Sequence, residues 1–147
     1  MHTLWNEADR SSLVQRFTRL SPGAAPRWGR FDAPRMVTHV TDALRSSLEE
    51  LAVAAVPGPL KVWPLNTLVI YYLPWPKGAP TAPELIARTP AEWGTELEEL
   101  QAAIDRFAAR GSHATWPAHA AFGQIDGAAW GRLMYRHLDH HLRQFGG

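Results

Sequence analysis

Cysteine is absent from this chain of 147 residues. Without cysteine the protein has no disulfide, no zinc site with thiolate ligands, no iron–sulfur cluster and no catalytic thiol of its own. Any sulfur chemistry would therefore need a thiol supplied from solution. The chain also lacks an uninterrupted apolar run of about 18 residues, and its first residues do not join a basic segment to an apolar one. We therefore expect no membrane association and a cytoplasmic location.

The chain also has no excess of positive or negative charge. Fifteen basic side chains stand against fourteen acidic ones, for a formal net charge of +1. Because no basic run marks a surface for a phosphate backbone, we expect no nucleic-acid partner. The glycine-rich loops that bind nucleotides and the Gly-x-Ser-x-Gly turn of serine hydrolases are also absent. We expect the partner to be a small-molecule substrate.

The chain does contain enough apolar material for a core. Hydrophobic residues make up 46% of it, and its length is ordinary for one domain. We therefore expect a single domain over residues 1–147. Eight of the twelve prolines lie between Pro57 and Pro90, so a proline-rich middle separates two helical parts.

Apolar spacing and capping residues predict helices on both sides of this middle. The predicted segments are a helix over about Asn6–Leu20, one from the cap Asp32 to about Val56, a short one from Thr81 to Arg88, a long one from the capping box Thr89–Glu92 to Gly111, and one from the cap Asp126 to Phe145. Between residues 60 and 80 we expect an extended crossover, because prolines flank an apolar run that has no partner strand. This pattern predicts an all-α four-helix bundle with a long proline-rich crossover between helices 2 and 3.

The last predicted helix carries two histidines where leucines would be expected. His137 and His141 lie four positions apart on its apolar face, which places two imidazoles one turn apart and close enough to share a cation. In a chain with seven histidines such a pair also arises by chance. His39 supplies a third imidazole, beside Met36 and Val40 on the edge of the apolar face of the second helix. Three neutral imidazoles leave a coordination position open for water or substrate, which is typical of a catalytic metal site.

The alternative interpretation is that the three are partly buried core histidines that bind backbone carbonyls or water. Burying unpaired imidazoles together costs roughly 1–3 kcal/mol for each unsatisfied group, whereas one metal ion satisfies all three. Three neighbours could support the site. Asp42 lies one turn from His39, and it is expected either to orient that ring or a bound water or to face solvent. His140 is expected either to support the site or to lie at the surface. Gln144 is expected either to position a ligand or to make a contact at the helix end.

Two known metal motifs are missing. Leu138 follows His137, so the general-base glutamate of the His-Glu-x-x-His peptidases is absent. No acidic residue stands three positions before any histidine, which excludes the Glu-x-x-His pairs of di-iron bundles.

Five segments carry a resemblance that spans nearly the whole chain. They are Arg27–Arg30, Met36–Val40, Pro74–Glu84, Phe122–Gly123 and Tyr135–Phe145. Together they resemble the DinB/YfiT-like metal-dependent bundles, and within them a bacterial branch. The resemblance implies a metal triad of one histidine on the second helix and a His-x-x-x-His pair on the last, which falls on His39, His137 and His141. Its wider superfamily includes S-transferases and isomerases that use a low-molecular-weight thiol.

The preferred hypothesis is a metal-dependent enzyme that binds Zn²⁺ or Ni²⁺, or else Fe or Mn, through these three histidines. The open position would lower the pKa of a bound water or small thiol. Thiol-dependent S-transfer with bacillithiol, mycothiol or glutathione is the preferred reaction, and metal-dependent hydrolysis is second. The alternatives are a bundle that holds a metal or small apolar ligand without turnover, and a metal-free bundle kept for dimerisation. We expect a homodimer. The role of His113 stays open. The role of His119 stays open too, because the resemblance implies a proline after it where this chain has Ala120.

Overall fold

The chain folds into helices without a β-sheet. The computed structural model describes all 147 residues, Met1–Gly147. Its five α-helices are α1 (Glu7–Arg19), α2 (Ala33–Ser47), α3 (Leu65–Tyr71), α4 (Trp93–Arg110) and α5 (Gly127–Gln144). Single 3-10 turns lie at Pro59–Lys61 and Pro83–Leu85, and one isolated β-bridge pairs His119 with Gly123. The all-α prediction is confirmed.

Three helix starts carry the capping contacts that their sequences indicate. The side-chain oxygens of Asn6, Asp32 and Asp126 each accept a hydrogen bond from the backbone N–H three residues later. Each bond satisfies one of the N–H groups that the first helical turn leaves free. The caps therefore define where α2 and α5 begin, and with that the direction in which their histidines point.

The second helix is shorter than predicted. It ends at Ser47 and does not continue to about Val56. Glu49 adopts a left-handed φ of 63°, which a right-handed helix does not accommodate. The Glu49 carboxylate accepts a hydrogen bond of 2.8 Å from Arg110 at the end of α4. This contact with a neighbouring helix replaces a further turn of α2.

The prediction of an extended crossover is wrong for residues 65–71, which form α3. The guanidinium of Arg136 on α5 donates to three carbonyls at the end of this helix. They belong to Val69, Ile70 and Leu73, at 2.7, 2.9 and 2.6 Å. The last carbonyls of any helix lack intrahelical partners, and a cation at this end also complements the helix dipole. A distant arginine thus stabilises a helix that the local β-propensity disfavours.

The two predicted capping boxes do not form as expected. The segment after Thr81 makes a single 3-10 turn instead of a helix to Arg88. The long helix α4 uses Glu92 as its N-cap in place of Thr89, and the Glu92 carboxylate accepts a hydrogen bond of 3.2 Å from the N–H of Thr95. The start of α4 therefore lies three residues later than the box predicts.

One hydrophobic core of 24 buried residues joins the helices. α1 and α2 each pack against both α4 and α5, and α3 packs against α5. The predicted apolar faces supply much of this core, including Met36, Val40, Leu44, Leu100, Ile104, Phe107, Leu133, Met134 and Leu138. No helix has the combination of length and apolarity that crossing a membrane requires.

Candidate metal centre

Three histidines from α2 and α5 meet inside the molecule. His39 lies in the middle of α2, and His137 and His141 lie one turn apart on α5. The Nε2 atoms of His39 and His137 are 3.0 Å apart, and one ring nitrogen from each histidine lies within 4.8 Å of the other two. The ring centroids form a triangle with sides of 4.8 to 4.9 Å. The three side chains are close enough to bind one metal ion.

A backbone carbonyl orients the ring of His39. Its Nδ1 lies 3.2 Å from the carbonyl oxygen of Leu85, in the 3-10 turn before α4. Because a carbonyl can only accept, the neutral ring carries its proton on Nδ1. The lone pair is then on Nε2, the nitrogen that faces the other two histidines.

A side chain and a second carbonyl orient His141. Its Nδ1 lies 2.8 Å from Oε1 of Gln144, and Nε2 of Gln144 donates to the Trp28 carbonyl at 2.7 Å. The carbonyl settles which end of the amide is the donor, so the amide oxygen faces His141 and accepts its Nδ1–H. Nε2 of His141 is therefore left as an acceptor.

Glycine is needed where this chain of hydrogen bonds reaches the loop before α2. Gly29 has a φ of 79°, and a Cβ built on it would lie 2.7 Å from Nε2 of Gln144. A larger residue would be strained at this φ and would also displace the amide.

All three imidazoles are held in the neutral form that a metal requires. Burial lowers the pKa of His39, and it lowers that of His141 to about 3, with the nearby His39 contributing in the second case. Burial and the neighbouring histidines hold the pKa of His137 well below its ordinary value. Metal ligation needs unprotonated nitrogen, so the site is ready for a cation at neutral pH.

The donor set also fits a cation better than a hydrogen-bonded cluster. His39 and His141 both present acceptor nitrogens, and only His137 can present an N–H between them. One donor cannot satisfy two separate acceptors well, whereas a single ion satisfies all three. Two imidazole nitrogens that each lie about 2.0–2.1 Å from one tetrahedral zinc ion are roughly 3.3–3.4 Å apart, so the 3.0 Å between His39 and His137 has to open by only a few tenths of an ångström.

Aromatic rings cover the site unevenly. Phe31 packs against His39 and His141, with centroids 5.1 and 5.8 Å away, and these two histidines are only 3% and 8% exposed. His137 is half-buried, and the ring of Trp75 lies 6.1 Å from it. The cover over His137 is therefore less complete than the cover over the other two histidines.

The three candidate supporting residues occupy different positions. Gln144 binds His141, as described. The carboxylate of Asp42 is buried, but it accepts hydrogen bonds from Arg45 and Arg88 and none from His39. His140 lies edge-on to His141 at 5.3 Å, outside the group of converging nitrogens.

The other two histidines in question lie outside the site. His113 is exposed. His119 is largely buried, and its Nδ1 accepts hydrogen bonds from the N–H groups of Ala121 and Phe122. This acceptor role fixes the tight turn that the bridge to Gly123 closes.

The two carbonyls that orient the rings, at Leu85 and Trp28, were not predicted from the sequence. Every residue carries a carbonyl, so no residue type signals that role. Trp75 and Arg136 had a weak signal, since both lie in segments that carry the family resemblance. Arg136 also comes directly before His137 on α5, where a cation can reach the end of a neighbouring helix.

Residues 74–146 match the model of a family described as "Protein of unknown function (DUF1569)". The matched range is 73 of the 147 residues, just under half of the chain. It contains Trp75, His137 and His141 but not His39. Neither the curated proteins nor the solved structures include a significant match. The comparison therefore links the segment from Trp75 to the end of α5 with a described family, and assigns it no activity.

Proposed function

We propose that this chain is a metal-dependent enzyme that holds one divalent ion through His39, His137 and His141. The observation that carries the proposal is the convergence of three neutral imidazoles, two of which have their Nδ1 protons bound by oxygen acceptors. Such outer hydrogen bonds are typical of histidines that ligate metals, because they fix the tautomer and the ring orientation.

We propose further that the fold is a four-helix bundle of the DinB/YfiT-like type and forms a single domain. The pairing of the four longer helices supports this proposal, since α1 and α2 each contact α4 and α5. Ligand sites of such bundles lie between facing helices, which agrees with a site shared by α2 and α5.

Zinc and nickel are the preferred ions, with iron and manganese as further candidates, because imidazole suits several of them. A divalent ion at this site supplies a Lewis acid that favours the ionised form of a water or thiol beside it. The chain itself supplies the orientation of the ligands, through Leu85 and Gln144. It also excludes water on one side, where Phe31 covers two of the three rings.

Thiol-dependent S-transfer is the proposed reaction. The absence of cysteine means that a thiol nucleophile has to come from a small molecule, and His137, the least buried of the three ligands, marks the side from which it would approach. Metal-dependent hydrolysis is the second candidate, because water would reach the ion from the same side. A homodimer is proposed on the general frequency of paired bundles, and its test is the mass in solution measured by light scattering.

Elemental analysis of protein purified without an affinity tag tests the metal. We expect about one divalent ion per chain in the wild type and none in the His137→Ala/His141→Ala double variant, because removing two of three ligands abolishes the site. His113→Ala, which removes an exposed histidine, should keep the ion. Equal metal content in the wild type and the double variant would contradict the proposal.

Turnover is tested next, with the ion that the wild type retains. Panels of thiols with electrophiles, and of esters and amides, separate transferase from hydrolase. A protein that binds the ion but turns over neither panel would instead be a non-catalytic binding bundle, for which we expect a metal-dependent rise in melting temperature alone.

A further inference from the structure

Two tryptophans lie on either side of His140, next to the three-histidine site. The ring of Trp75 lies 6.1 Å from His137 and 6.1 Å from His140, and the ring of Trp28 lies 5.6 Å from His140. Both are anchored. Nε1 of Trp75 donates to the Val69 carbonyl at 3.1 Å, and the carbonyl of Trp28 accepts from Gln144. We call the surface formed by Trp28, Trp75 and His140 the mouth.

Lys77 stands at this mouth with its charge unpaired. Its ammonium nitrogen lies 4.6 Å from the centre of the Trp28 ring. The ring contacts one side of the ammonium, and an ammonium has three N–H donors to offer. Lys77 makes no ion pair within the chain, although carboxylates of the chain pair with seven of its arginines.

Two arginines of α5 in this region already have partners. Arg136, which lies over the ring of Trp75, donates to the carbonyls at the end of α3. Arg143 pairs with Asp139, and Asp139 also pairs with Arg16. Lys77, whose ammonium contacts only the Trp28 ring, keeps its N–H donors free to bind a ligand.

We propose that the mouth selects ligands that carry a carboxylate, which Lys77 binds while the carbon skeleton packs against Trp28 and Trp75. This inference rests on the proposed function, because the carboxylate is placed at one end of a molecule whose other end reaches the metal site. A charge-assisted hydrogen bond to a free ammonium, beside apolar rings that reduce water contact, favours such an anion over its neutral analogue.

Matched probes test the selectivity without relying on turnover. We would titrate metal-loaded protein, by calorimetry, with 2-mercaptoacetate, 3-mercaptopropionate and 4-mercaptobutyrate, and with the neutral amide of each. The series covers a range of spacings between sulfur and carboxylate. For the acid that fits best, we expect the wild type to bind it about fivefold more tightly than its amide, which is a difference of about 1 kcal/mol.

The variants assign that preference to one side chain. Lys77→Met should reduce it to less than about twofold, and Lys77→Arg should retain most of it because the charge is kept. Lys61, the other of the two lysines in the chain, is also exposed and lies before α3. Lys61→Met is therefore the matched control, and it should leave the preference unchanged.

Metal content is measured in the same samples, so that the two proposals fail separately. If all the proteins hold the ion but the wild type shows no preference, or Lys77→Met keeps it, the carboxylate inference is overturned and the metal proposal stands. If no protein holds the ion, the proposed function fails and the inference fails with it.

Discussion

The orientation of His141 depends on one amide. Gln144 accepts the Nδ1 proton of His141 and donates to the carbonyl of Trp28, and it is 4% exposed. Gln144→Leu keeps the volume but leaves both partners unpaired. We expect a loss of about tenfold to a hundredfold in zinc affinity, and a loss of stability of about 1–3 kcal/mol from the unsatisfied groups. Competition with a chelating dye and urea unfolding measure the two effects.

Gln101 provides the control for this change. It lies on α4 and binds Asp105 on the exposed side of the helix, remote from the site. Gln101→Leu should alter stability by less than about 0.5 kcal/mol and leave zinc affinity as it is. Equal zinc affinity in the two leucine variants would show that Gln144 does not act on the site.

A second prediction concerns Gly29, and it separates the effect of backbone strain from the effect of displacing the Gln144 amide. Gly29→Ala places a Cβ 2.7 Å from Nε2 of Gln144 and also forces alanine into a left-handed φ of 79°. Gly78 has nearly the same φ, 76°, with no atom within 4 Å of its Cβ position. The backbone strain alone should therefore cost each alanine variant about 1–2 kcal/mol, and Gly29→Ala should lose more because it also displaces the amide.

The affinity for zinc distinguishes the two alanine variants. Gly29→Ala should bind zinc about tenfold more weakly, because the amide that orients His141 has to move, while Gly78→Ala should bind it as the wild type does. If both variants bind zinc equally, the close approach of Gly29 to Gln144 is irrelevant to the site. The comparison uses the same dye competition assay.

Side-chain chemistry of this kind can be predicted from sequence only in part. The spacing of His137 and His141 indicates a shared face because helix geometry is regular, and the position of His39 on the edge of another apolar face adds a third candidate ligand. The carbonyls of Leu85 and Trp28 leave no such trace. Their role depends on how two loops come to rest against the helices, which local spacing does not determine.

At the scale of elements, the guanidinium of Arg88 links the segment before α4 to α2. Nε of Arg88 lies 3.3 Å from both carboxylate oxygens of Asp42, and its Nη1 lies 2.8 Å from Oε1 of Glu96. The two acidic side chains are 2% and 1% exposed, and Oε2 of Glu96 has no partner. Leu85, whose carbonyl orients His39, precedes Arg88 by three residues. Asp42 thus acts on the site through this segment.

Arg88→Met should therefore weaken both the fold and the site. It leaves two buried carboxylates without their shared cation, and we expect a loss of about 3 kcal/mol in the free energy of unfolding. It should also raise the dissociation constant for zinc, because the Leu85 carbonyl is less firmly placed. The measurements are urea unfolding of the metal-free protein and zinc titration.

The matched control is Arg35→Met, because the pair of Arg35 with Asp32 is exposed and 3.9 Å long. Such pairs contribute less than about 1 kcal/mol. If Arg88→Met is no more destabilising than Arg35→Met, the buried network does not hold the segment.

The elements that sequence reasoning placed wrongly share a physical cause. Local propensity favours a longer α2 and an extended 68–73 segment. The structure ends α2 at Ser47, where Arg110 binds Glu49 in the turn that follows. It makes α3 helical, because Arg136 binds the carbonyls at the end of that helix. The helices with strong caps and long apolar stripes, α1 and α5, needed no such partner and could be predicted closely.

At the scale of the whole molecule, buried neutral histidines make stability depend on pH. Burial lowers the pKa of His119 to about 4, and an unfolded chain has a histidine pKa of about 6.5. Between these values the unfolded state binds the proton more readily than the folded state, so stability falls as the pH falls. Above about pH 6.5 the stability linked to this group is complete. The lowered pKa values of His39 and His141 act in the same direction in metal-free protein.

We expect the titration of His119 to lower the free energy of unfolding of the metal-free protein by about 2–3 kcal/mol between pH 7.5 and pH 4.5, since each unit of pKa difference is about 1.4 kcal/mol. Urea unfolding at both pH values measures the change.

His119→Asn keeps a side-chain acceptor for the N–H groups of Ala121 and Phe122 but does not titrate. The free energy of unfolding of this variant should therefore fall less between the two pH values, by that amount. His113→Asn, at an exposed position, should lose as much as the wild type. An undiminished loss in His119→Asn would contradict the assignment of this acid sensitivity to His119.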